Sequence, residues 1–203
     1  VEQVGGIDAL SVLTPMFVSQ TQYEVSEYYR EIASETNLPI IIYNNRPKTN
    51  VTVEPATVAK LAEIDNIIGV KDSTGDMTNT EEYLRLTRGM DNFHVMMGRD
   101  TLIYAALCYG ASGAIASCAN VAPRIAVDIY EKFRAGDAVG ALDAQFRFSA
   151  LRIATNMGTF PVVLKEALKL IGHDCGDCVK PIQPLNDEQR ARLKTVLTDM
   201  GLL

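Results

Sequence analysis

The sequence has no apolar run approaching the ~20 residues that a membrane-spanning helix requires. It has no excess of basic residues either. Its 19 Lys and Arg stand against 25 Asp and Glu, a formal net charge of -6. A general nucleic-acid binder would show a basic stripe, so neither nucleic acid nor membrane is expected as a partner. The first residues, Val1 to Gly6, carry no basic region followed by an apolar one, so no signal peptide is read there. They include no initiator Met and lead almost directly into a strand-like segment, which is read as the sign of a longer parent. Cysteine is sparse. Cys108 and Cys118 lie in apolar surroundings and are expected to be buried thiols. Cys175 and Cys178 form a lone CxxC. A zinc site there would use His173 and both thiols but lacks a fourth ligand. A redox site would place the pair at a helix start, whereas Gly176 and Val179-Lys180-Pro181 suggest a loop. Ordinary thiols in a reducing, cytoplasmic compartment are expected.

What the chain does have is one repeating pattern. Short apolar runs at 9–13, 38–43, 67–71, 93–97 and 113–116 are each bounded by turn signals. Runs apolar on both faces read as buried parallel strands. Between them lie segments of helical character at 25–36, 55–64, 80–88 and 101–109, with Asp100 as the expected N-cap of the last. After Asn120 the strand signals stop, and helices are expected at 124–134, 137–156, 161–171 and 187–200. The chain therefore reads as five βα units and a helical tail. Its 203 residues, 47% hydrophobic and 22% charged, are enough for one sizeable core. Two α/β architectures fit: an open doubly wound sheet, or an eight-stranded barrel of which this chain holds five units.

Two strand ends carry reactive groups. Lys71 terminates the run Asn66-Ile67-Ile68-Gly69-Val70-Lys71. Flanking Ile and Val solvate an ammonium poorly and favour the neutral amine, which can attack a ketone to form a Schiff base. An exposed lysine just past the strand is the alternative at this point. Tyr43 terminates the strand one βα unit earlier. Neighbouring ends of parallel strands open on the same mouth, where a phenol can relay protons to a reacting centre. A core tyrosine with its hydroxyl at the rim is the alternative reading. The small, Gly-rich 110–117 lets backbone approach a ligand closely, but no nucleotide-binding spacing is present.

Taken in order, Thr14-Pro15, Tyr43-Asn44, Ile68-Gly69-Val70-Lys71-Asp72-Ser73-Thr74-Gly75-Asp76, Gly98 with Asp100, and 110–117 resemble the motifs of the dihydrodipicolinate synthase / N-acetylneuraminate lyase family. Pro181-Ile182 and Gly201-Leu202-Leu203 extend the likeness to the tail. The resemblance implies a (β/α)8 TIM barrel with a C-terminal helical extension. Residues 1–123 would hold strands four to eight, and 124–203 the last barrel helix and the extension. The parent would then be longer, near ~300 residues. The resemblance also implies a Lys71 imine with pyruvate or another 2-oxo acid, Tyr43 as proton relay, and Ile115 beside the imine through its main-chain carbonyl. No cofactor or metal is implied, and a homo-oligomer, tetramer or dimer, is expected.

Three departures qualify the likeness. The family's first three βα units, with their pyruvate-carboxylate loop, are absent from this sequence. Phe17 stands where synthases have a tyrosine that reaches a neighbouring subunit's site. Lys48, with Arg46 two residues away, stands where synthases hold the second substrate's carboxylate with an arginine; lysine lacks the bidentate fork. The expected activity is a pyruvate Schiff-base lyase or aldolase, condensing pyruvate with an aldehyde as 4-hydroxy-tetrahydrodipicolinate synthases do. Phe17 and Lys48 lean instead towards retro-aldol cleavage of a sugar-derived 2-oxo acid. A non-catalytic barrel remnant is the reading from another class.

Overall fold

The computed structural model describes residues 5–203. The reading of the N-terminal segment lies, for Val1 to Val4, outside the described residues. The chain divides into two compact units, one running to Ile115 and one starting at Ala116.

The first unit is built on β1 (Leu10–Leu13), α1 (Gln22–Ser34), β2 (Ile40–Asn44), α2 (Arg46–Thr49), α3 (Pro55–Leu61), β3 (Ile67–Asp72), α4 (Met77–Leu86), β4 (His94–Met97), α5 (Ile103–Cys108) and β5 (Gly113–Ala114). All five strands are parallel, and their spatial order is their chain order, β1-β2-β3-β4-β5. A doubly wound sheet reverses direction at a switch point, so this uninterrupted succession excludes that alternative and matches the winding of a barrel. The sheet's helix-facing side supplies the core: Ile40, Ile42, Ile67, Val70 and Val95 pack with Val25, Tyr29, Val58, Leu61 and Tyr83.

Local chemistry sets the helix boundaries. Thr21 and Glu24 form a reciprocal capping box that starts α1 three residues before the expected position. Backbone and side-chain hydrogen bonds from Thr21 hold the Glu24 carboxyl below its ordinary range. That cap is intact at neutral pH and weakens as pH falls through the lowered value. Asp76 caps α4 through the Thr78 amide. Asp100 is not the N-cap of α5. It lies buried in a 3-10 turn, Asp100–Leu102, and the helix follows from Ile103. Cys108 is exposed rather than buried, because it falls on the outer side of the short α5, whereas Cys118 is buried. The short α2 carries no sequence periodicity long enough to be read, and β5 is only two residues long.

Gly69 sets the spacing of the central strands. A Cβ there would lie 2.4 Å from the His94 carbonyl oxygen of β4, which is backbone and cannot swing aside. Gly69→Ala is therefore expected to lower stability by about 1–3 kcal/mol, read as a fall in the denaturation midpoint with an unchanged slope.

The second unit contains α6 (Pro123–Arg134), α7 (Ala138–Ala154), α8 (Val162–Leu170) and α9 (Asp187–Asp199). The expected helices are present within one or two residues at each end. In α7, Ala141, Ala144, Phe148 and Leu151 are buried at helical spacing, as are Ile125 and Ile129 of α6 and Leu193 and Leu197 of α9. Asn186 and Gln189 form a second capping box at α9. Cys175 and Cys178 are free thiols in the loop after α8, where the Lys165 ammonium donates to the carbonyls of Cys175, Gly176 and Asp177 at 3.0–3.2 Å. No helix among the described residues is long and apolar enough to cross a membrane.

Candidate active site

Parallel pairing aligns residues across the sheet, and aligned residues share a face. One row runs Leu13, Tyr43, Lys71, Met96, Gly113. A register shift between Ile40 and Ile41 against β3 brings Tyr43 level with Lys71. The Lys71 Nζ lies 3.8 Å from the centroid of the Tyr43 ring, and both residues are half-buried. The Tyr43 hydroxyl accepts from Asn45 Nδ2 at 3.0 Å, which leaves its own proton free to be donated. A lysine amine and a tyrosine phenol thus stand side by side at strand ends.

The next row has the opposite character. Asn44 pairs with Asp72 in the register, and strand alternation points both away from Lys71. Both are fully buried. Asn44 Nδ2 donates to Asp72 Oδ1 at 3.3 Å and to the Tyr83 hydroxyl at 2.8 Å, while Asn44 Oδ1 accepts from the Val53 amide at 3.2 Å. Asp72 also accepts from the Thr74 amide (3.1 Å), Asn79 Nδ2 (3.2 Å) and the Thr80 hydroxyl (2.7 Å). The Tyr83 hydroxyl donates to the Val53 carbonyl. Burial, and then the Asp72 charge, push the Tyr83 phenol well above its ordinary range, so it stays neutral. The sequence signature contained Asn44 and Asp72, but their part was missed. Period-two alternation beside Tyr43 and Lys71 was the signal that could have exposed them.

Backbone bonds continue the ladder past the strands: Ser73 N to Asn44 O at 2.8 Å, Gly98 N to Asp72 O at 2.7 Å, and Ile115 N to Met97 O at 2.9 Å. Gly98 must be glycine here, since a Cβ would fall 2.0 Å from Ser73 Oγ and 2.9 Å from Asp72 O. The remaining sequence-predicted residues sit beyond the strand ends. Ile115 follows β5 and is partly exposed. Arg46 and Lys48 are exposed on α2 and line an open groove with Thr74, Asp76 and Asn79. Phe17, past β1, has φ 77 and a side chain 98% exposed. A bulky residue in the left-handed region carries strain of order 1–3 kcal/mol. Among the described residues no group of three or more His, Cys, Asp or Glu is gathered to hold a metal.

A chain-ordered parallel sheet with a lysine and a tyrosine level at its strand ends is the arrangement of part of a (β/α)8 barrel with its reactive groups at the strand-end mouth, and comparison with known proteins narrows this further. The sequence matches the Dihydrodipicolinate synthetase family over residues 2–200, and the chain belongs to that family. It is 34% identical over 196 residues to the 4-hydroxy-tetrahydrodipicolinate synthase of Methanothrix thermoacetophila, covering 97% of this chain and 66% of that protein. The enzyme of the same name from Archaeoglobus fulgidus is 33% identical over 198 residues, covering 98% and 68%. Among solved structures, the dihydrodipicolinate synthase of Thermotoga maritima superposes with a TM-score of 0.93 at 28% identity, covering 100% of this chain and 69% of that one. A prophage protein of the same family from E. coli K12, solved in complex with pyruvate, also gives 0.93 at 28%, covering 99% and 69%. The chain spans about two thirds of the length of these relatives.

Proposed function

We propose that the protein is a class I lyase that forms an imine between Lys71 and pyruvate and joins pyruvate to an aldehyde, as 4-hydroxy-tetrahydrodipicolinate synthases do. The observation that carries this reading is the 3.8 Å approach of Lys71 Nζ to the Tyr43 ring at level strand ends. The neutral amine attacks the C2 carbonyl, water leaves, and the protonated imine draws electrons from C3, so that a C3 proton can depart. The resulting enamine attacks the aldehyde carbon. Hydrolysis then frees the product and regenerates Lys71. Tyr43 moves the protons: its hydroxyl proton is not engaged by Asn45 and is available to the departing water and to the new alkoxide.

In this reading Arg46 and Lys48 hold an acidic group of the second substrate from the α2 groove, and Ile115 lies beside the imine through its main-chain carbonyl. Phe17, exposed and held at positive φ, serves a neighbouring subunit in a homo-oligomer. The setting is cytoplasmic. The same imine runs backwards as a retro-aldol cleavage. Lys48 and Phe17 favour that direction on a sugar-derived 2-oxo acid, because neither reproduces the synthase's arginine or tyrosine.

The test is chemical trapping. The intact protein is incubated with pyruvate and borohydride, and its peptides are weighed. A reduced pyruvyl adduct on Lys71 is expected. A folded protein that gives no adduct with pyruvate or any other 2-oxo acid would remove the aldolase reading. Consumption of pyruvate with aspartate semialdehyde, against release of pyruvate from 2-keto-3-deoxygluconate or N-acetylneuraminate, separates synthesis from cleavage.

A further inference from the structure

We infer that Asn44 and Asp72 are positioning residues, a buried clamp behind the sheet that holds Lys71 at its working distance from Tyr43. This inference rests on the imine reading of Lys71. Each clamp residue directly follows a residue of the pair in the chain, and each points to the opposite face. A rotation of either strand end therefore moves a clamp residue and its neighbour together. The regular β2–β3 register ends at the Asn44–Asp72 rung. The side-chain bond at 3.3 Å and the Ser73 amide on the Asn44 carbonyl at 2.8 Å carry the pairing beyond it.

The chemistry of the clamp restricts its geometry. A buried carboxylate is costly unless its lone pairs are occupied. Asp72 meets that cost with four uncharged donors drawn from β2, the following loop and α4. Four directional bonds to two oxygens admit one orientation of the carboxylate. Asn44 is equally constrained, with Asp72 and Tyr83 on its amide nitrogen and Val53 on its oxygen. An apolar pair would fill the same volume without fixing an angle.

The test compares Asn44→Asp, Asp72→Asn and the double variant carrying both in the intact protein. The readouts are the rate of Lys71–pyruvate imine formation, by timed borohydride quench, and the half-saturating pyruvate concentration. Asn44→Asp sets two carboxylates against each other, and Asp72→Asn puts an amide nitrogen where Asn79 and Thr80 donate. Each is expected to slow imine formation about 30-fold or more at saturating pyruvate, since a 1 Å misplacement of reacting groups costs ~10²-fold. Half-saturation is expected to move less than about threefold, because Lys71 and Tyr43, which meet pyruvate in the imine reading, lie on the other face. The double exchange again sets an amide donor against a carboxylate and is expected to recover about tenfold of the rate lost in Asn44→Asp.

Folded single variants with wild-type imine rates would overturn the clamp, and so would slowed variants with no recovery in the double exchange. Where the single variants fail to fold, Tyr83→Phe removes the hydroxyl that accepts from Asn44 and donates to the Val53 carbonyl. It is expected to slow imine formation about fivefold or more by loosening one partner, and a wild-type rate there would equally overturn the clamp. A wild-type protein that traps no pyruvate would remove the imine reading and this inference with it. Wild-type trapping with unaffected variants removes this inference alone.

Discussion

Lys71→Ala is expected to lose the borohydride-trapped adduct completely and to reduce turnover by at least ~10⁴-fold, because covalent catalysis has no substitute once its nucleophile is gone. At ~1.36 kcal/mol per tenfold, that is a loss of about 5 kcal/mol or more of transition-state stabilisation. The fold should survive the change. Lys71 is half-buried, faces away from the apolar core and shares its row with Met96 and Gly113, so alanine leaves the helix-facing packing of Ile67 and Val70 untouched. Unfolding midpoints of the variant and the parent are expected to lie close together. A variant that retains turnover and still traps pyruvate elsewhere would show that another amine is the nucleophile.

Tyr43→Phe is the second large effect. The ring that lies against Lys71 Nζ remains, and so does its attraction for a cation at 3.8 Å. Only the hydroxyl is lost. Removing a positioned proton carrier costs ~10²–10⁴-fold. The loss should fall on kcat and on the rate of imine formation while the adduct still accumulates on long incubation. Lys71→Ala abolishes the adduct, whereas Tyr43→Phe delays it, and that contrast separates nucleophile from relay. An adduct formed at the parental rate in Tyr43→Phe would show that the phenol takes no part.

Much of this arrangement was legible in the sequence. The five strands could be read because each is an apolar run punctuated by turn residues, and a run such as Ile40-Ile41-Ile42 is hard to place elsewhere than between layers. The placement of Lys71 and Tyr43 near strand ends could be read because reactive groups at the ends of such runs are conspicuous. Strand order could not be read, since any order of five parallel strands is compatible with the same local pattern. The register shift at Ile40 and Ile41, which makes Tyr43 level with Lys71, leaves no local trace either. The reading of Asp100 as an N-cap failed for a related reason: the chain tightens into a 3-10 turn there and buries the side chain, an outcome decided by surrounding structure rather than by the cap preference of aspartate. Cys108 was misplaced because apolar neighbours in sequence are not neighbours in space on a helix of six residues.

The alternation of β2 and β3 also has a consequence for anyone reshaping this protein. Tyr43 and Lys71 occupy one face, Asn44 and Asp72 the other. A combinatorial library confined to the mouth-side row, Leu13 and Met96 together with the α2 groove residues Arg46 and Lys48, explores new substrates without touching the scaffold that holds the chemistry in place. A library that takes in Asn44 and Asp72, one residue past Tyr43 and Lys71, draws its diversity from the clamp instead and should yield mostly dead variants. In directed evolution, a single step along the strand separates the adaptable part of this site from the part that must be left alone.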